Sequence, residues 1–106
     1  MKELSSPLRS FILTLPSVPF LEALLLLHGA PDQIWTAEAI AQRLYLQTLA
    51  QADELVHLLT ERGFAAATSD GQLVYSPRDA TLHERVAELA EVYQHQLIEI
   101  TNLVHG

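Results

Sequence analysis

Apolar positions recur along this chain in three- and four-residue steps, broken by one short stretch with strand-like spacing around a turn. Leu8, Phe11, Ile12 and Leu15 share the face of a first helix. Ser6-Pro7 reads as its start, with Ser6 as N-cap and Pro7 at the first helical position, and Pro16 ends it. Ser17 caps a second helix that tolerates Pro19 in its first turn. Phe20, Ala23, Leu24 and Leu27 line one side of it, while Leu25 and Leu26 make the other side apolar too. A helix apolar all round is covered all round. Gly29 is expected to end it as a left-handed C-cap, and Pro31 prevents continuation.

Ile34-Trp35 reads as a very short strand. Thr36 caps a helix through Tyr45, with Ala37, Ile40, Ala41 and Leu44 inward. Thr48 and Gln51 form a capping box for the next helix, whose Ala52, Leu55, Val56 and Leu59 face a core and which Gly63 stops. Strands are expected over 64–68 and 72–76. Asp70-Gly71 between them predicts a two-residue type I′ turn with positive φ at both positions. From Asp79 a single long helix is expected to about residue 104, with Leu82, Val86, Leu89, Tyr93, Leu97, Ile100 and Val104 along one seam. At ~1.5 Å per residue it would span roughly 35 Å, more than one small core covers.

Three helices followed by a two-stranded wing make an α+β, mostly helical, winged helix-turn-helix, with an N-terminal helix and a long C-terminal helix added. The whole chain, 1–106, reads as one such domain. Its core would be 17–77, flanked by dimerisation helices at 6–15 and 79–104. The stretches Ile34 to Ala41, Leu55 to Phe64 and Ser69-Asp70-Gly71 resemble the winged helix proteins of bacterial transcription control, broadly the MarR- and PadR-like group. The resemblance implies a DNA-binding regulator acting as a homodimer. The exposed third helix of the core and the wing tip would contact double-stranded DNA. Carried onto this chain, it points to Arg43, Gln47, Thr48, Gln51, His57, Gln72 and Arg78 for nucleic acid. For the dimer seam it points to Leu8, Phe11, Ile12, Leu89, Tyr93, Leu97, Ile100 and Val104.

Charge changes that picture. Formal charge is −7, from thirteen acids against six Lys plus Arg. A duplex reader normally carries a basic footprint. Residues 1–20 carry +1, while 46–62 carry −2 and 79–106 carry −4. The exposed stripe of the third helix is Ala50, Glu54, His57 and Glu61, with Asp53 beside it. Two readings therefore stand. One is a DNA-binding, transcription-regulator-like protein. The other is a winged helix interaction module whose acidic third helix meets a basic protein partner.

Other chemistry is sparse. There is no cysteine, which excludes disulfides and thiolate sites and fits a cytoplasmic location. Phe11 to Leu27 is apolar, but Pro16, Pro19 and Glu22 interrupt it, so no membrane segment is expected. His83, Glu84, Glu88, Glu91 and His95 share the last helix, with Glu91 and His95 four apart. Without a His-Glu-x-x-His motif this reads as a solvated acidic face, and no metal or other cofactor is expected. No nucleophile elbow, phosphate loop or dinucleotide fingerprint occurs, so an enzyme is not expected. Trp35 reads as a residue packed over the core, in preference to a ligand-stacking one.

Overall fold

The structure is a computed structural model and describes residues 4–93 and 96–105. Among these, six helices and three short strands form an α+β arrangement dominated by helix. Helix α1, Ser6–Leu13, takes Ser5 as N-cap, not Ser6, and holds Pro7 in its first turn. Helix α2 is Val18–Gly29, capped by Ser17, whose hydroxyl accepts from the Phe20 N–H. The α1–α2 pair bends by 119°, and no single described helix is long and apolar enough to cross a membrane. Gly29 is the last helical residue, with no positive φ, and Ala30, at φ −139 and ψ 68, is the C-cap. The expected left-handed C-cap is absent there.

Strand β1 is Ile34–Trp35 and helix α3 is Ala37–Arg43. Helix α4, Leu49–Glu61, opens with the complete capping box of Thr48 and Gln51. Strands β2, Ala65–Ala67, and β3, Leu73–Tyr75, complete an antiparallel sheet in the order β1-β3-β2. Ile34 pairs with Val74 and Trp35 with Leu73. The short strand before α3 thus caps the edge of the β2–β3 hairpin. The hairpin turn departs from the expected type I′. Gly71 has φ +79, but Asp70 does not have positive φ. The Gly71 N–H donates to the Thr68 carbonyl at 3.0 Å, and the Thr68 N–H donates to the Gln72 carbonyl at 2.8 Å. Three residues, Ser69 to Gly71, form the loop. A turn followed by a left-handed glycine spares Asp70 the strained conformation.

The end of α4 is a Schellman motif. The Gly63 N–H donates to the Thr60 carbonyl and the Phe64 N–H to the Leu59 carbonyl, with Gly63 at φ +83. Leu59 and Phe64 are both buried, which supplies the apolar contact of the motif. Phe64 meets Phe11 and Phe20 edge-on, at ring separations of 6.0 and 5.8 Å. Arg62 donates to the Thr14 carbonyl at 2.9 Å and lies over the Phe20 ring. One turn therefore joins α4 to α1, to α2 and to the sheet.

The long terminal helix expected from Asp79 is instead two helices. Helix α5 is Ala80–Tyr93 and helix α6 is Leu97–His105, with Gln96 a non-helical residue between them. Asp79 caps the first, its carboxylate accepting from the Leu82 N–H at 2.8 Å. The interruption lets two short helices serve one core. Helix α1 lies against both α5 and α6, and α2 packs on α4, α5 and α6. Leu89 of α5 and Ile100 of α6 are both fully buried.

His28, Tyr75 and His83 bring α2, β3 and α5 together at their edge. The Tyr75 hydroxyl lies 2.9 Å from His83 Nδ1, and the His28 ring is 5.7 Å from Tyr75 and 6.0 Å from His83. Burial pushes the Tyr75 hydroxyl up. Burial, and then the neighbouring His83, push His28 below its usual 6.5. The unfolded chain then holds the His28 proton more readily, so His28 favours the folded state above pH 6.5 and opposes it as pH falls through that value.

A Cβ on Gly63 would sit 3.1 Å from the Arg78 Cβ and force a left-handed alanine. Gly63→Ala should destabilise the fold by about 1–2 kcal/mol in urea unfolding. His28→Asn should flatten the loss of stability between neutral pH and pH 5, followed by unfolding at each pH.

Candidate interaction face

Helices α3 and α4 pack on one another and leave the outer side of α4 in solvent. Gln47, Thr48 and Gln51 are exposed at its N-terminal end. They are also occupied with each other. The Gln51 side-chain carbonyl accepts from the Gln47 and Thr48 N–H groups at 3.0 and 3.2 Å, while the Thr48 hydroxyl accepts from the Gln51 N–H. Further along, His57 pairs with Glu61 at 3.1 Å, and Asp53 and Glu54 are exposed beside them.

The cations named from the sequence do not gather on this face. Arg43, at the end of α3, lies over the Trp35 ring, 5.7 Å from its centroid. Arg78 packs against Gly63 and pairs with Asp79 at 3.8 Å. It belongs to the far end of α4, whose thirteen residues put roughly 18 Å between its ends. Arg62 is committed to Thr14 and Phe20. Gln72 is half-buried in the hairpin, its N–H donating to the Thr68 hydroxyl. Of the seven residues, Gln47, Thr48, Gln51 and His57 share the α4 surface.

The expected dimer seam is corrected at four of its eight positions. Leu8, Ile12, Leu89 and Ile100 are fully buried in the chain's own core, because α1 closes on α5 and α6. Phe11, Tyr93 and Val104 are half-buried, and Leu97 is exposed. Burial, and then the Glu22 carboxylate, hold the Tyr93 hydroxyl above its usual value. Apolar side chains that do remain in solvent include Leu13, Leu97 and Ile98.

The acidic stripe of α5 is used internally at one point. Glu88 accepts from the Ser5 hydroxyl at 3.1 Å and pairs with Arg85 at 3.3 Å, tying α5 to the start of α1. His95 lies outside the described residues. Among the described residues no group of three His, Cys, Asp or Glu side chains is placed to hold a metal ion.

Two features of the face were not read from the sequence. The first is Tyr45, 91% exposed, at φ +55. It occupies the position where a Schellman turn usually has glycine. The Leu46 N–H donates to the Ala41 carbonyl and the Tyr45 N–H to the Gln42 carbonyl. A bulky residue in left-handed conformation is an outlier. The only sequence signal was a helix stopping three residues before the Thr48 cap with no glycine to stop it. The second feature is a cleft of about 330 Å³ beside α4, lined by Pro16, Pro19, Leu46, Leu55 and Leu58 with Glu54 among its walls. It forms from residues distant in the chain, so no local pattern announced it.

No protein-family model, curated protein or solved structure matches the chain.

Tyr45→Gly removes the strain and no buried contact. It should stabilise the fold by about 1 kcal/mol, a rise of roughly 4–8 °C in Tm by calorimetry.

Proposed function

We propose that this chain is a winged helix module of the transcription-regulator type whose helix-turn-helix face engages a basic protein surface. The order of elements supports the fold reading: α3 and α4 joined by a tight turn, then the β2–β3 hairpin, then Asp79 capping α5. One observation carries the choice of partner. The face presents Asp53, Glu54 and Glu61, while Arg43, Arg62 and Arg78 are drawn to Trp35, Thr14 and Asp79. Phosphate meets repulsion on such a surface, and a lysine- or arginine-rich protein meets attraction. Tyr45 and the apolar cleft add the kind of central contact area that aromatic and aliphatic anchors use at interfaces.

Duplex DNA is the second reading, favoured by exposed Gln47 and Thr48 at the N-terminus of α4. The double variant Glu54→Gln, Glu61→Gln separates the two. On the protein reading, wild type and double variant both fail to retard random duplex at low salt. A polyarginine peptide binds wild type and loses about fivefold in affinity to the double variant, the equivalent of about 1 kcal/mol for two exposed charges. Duplex binding that tightens in the double variant, with a salt slope near −0.9 per phosphate, would instead establish the DNA reading.

A further inference from the structure

We propose that a second cleft, between the C-terminal end of α2 and the start of the sheet, binds a small organic carboxylate with an apolar body. This cleft has a volume of about 220 Å³ and is lined by Leu25, Leu26, Gln33, Trp35 and Arg43, among others. Its ligand preference follows from what the lining can and cannot supply.

Trp35 is 1% exposed, and its indole N–H finds no acceptor among the described residues. Leaving such a donor unpaired in the interior is costly. Native structures seldom carry that cost without a reason. The indole N–H and the Arg43 guanidinium only donate hydrogen bonds. No carboxylate lines the cleft, and Arg43 forms no ion pair among the described residues. A ligand must therefore bring acceptors, and the guanidinium favours a negative one. Leu25 and Leu26, half-buried, provide an apolar wall. Benzoate, a compact acid with an apolar body, carries both features the lining asks for.

Arg43 is exposed, and its guanidinium lies 5.7 Å from the centroid of the Trp35 ring. An entering carboxylate would accept from both the guanidinium and the indole N–H, with Arg43 as its counter-ion. The chain's net charge opposes an anion at long range, but at physiological salt that field is screened beyond about 8 Å.

Trp35 is the chain's single tryptophan, so its emission and its indole N–H resonance report on this site alone. Benzoate titrated into the intact chain at physiological salt should change the emission saturably, with Kd of order 1 mM for so small a ligand. The indole N–H signal should move downfield over the same range. Benzamide, uncharged and of the same shape, should bind more weakly, and Arg43→Gln should weaken benzoate about tenfold. Failure of benzoate to shift the indole signal would overturn the proposal. So would benzamide binding as well as benzoate, or a variant at Arg43 that binds undiminished.

Discussion

The left-handed turn at Gly63 is the constraint on which the arrangement depends. It ends α4, and it places Arg62 on the segment that joins α1 to α2 and Phe64 against Phe11 of α1 and Phe20 of α2. The Gly63 carbonyl accepts from the Arg78 N–H at 2.7 Å and the Phe64 carbonyl from the Ser76 N–H at 3.0 Å, so the hairpin returns to the same point. Helix packing, sheet closure and the direction of the chain into α5 all pass through one backbone conformation. Glycine adopts it at no steric cost, whereas a side chain there would press on Arg78.

The electrostatics of the surface follow from where the cations are held. The chain has six Lys and Arg in all, and the fold holds Arg62, Arg78 and Arg43 against a carbonyl, a carboxylate and an indole ring. Among the described residues the acids on α4 have no such internal partners. His57 pairs with Glu61, in an exposed contact that adds little stability. The outer face of α4 is therefore acidic because of where the cations are held as much as because of how many acids it carries.

Gly63 and Tyr45 make an informative contrast. Both stand after a helix cap in left-handed conformation with the same hydrogen-bond pattern. At Gly63 the residue fits the geometry and the neighbourhood is crowded. At Tyr45 the residue is strained and the ring is in solvent. Strain that persists at an exposed aromatic side chain, beside a cleft and an acidic helix, is the form expected where a surface serves an encounter. Trp35 presents the complementary oddity, a buried donor without a partner.

The local elements are legible in the order of residues. Ser17, Thr36 and Thr48 cap the helices assigned to them, Gly63 ends α4, Ile34-Trp35 is a strand, and Gly71 lies in the hairpin turn. These rest on hydrogen bonds between residues a few positions apart, so local pattern suffices to read them. Tertiary structure decided the rest. Apolar periodicity is unbroken from Leu82 to Val104, yet the chain divides into α5 and α6 there, and both Leu89 and Ile100 are buried. The same packing took Leu8 and Ile12 out of the expected dimer seam. Where Arg43, Arg62 and Arg78 point, and how Pro16 and Leu58 or Leu25 and Arg43 come to share a cleft, depends on contacts between distant segments. A linear pattern records which side chains are apolar or charged, but not which neighbour each will meet.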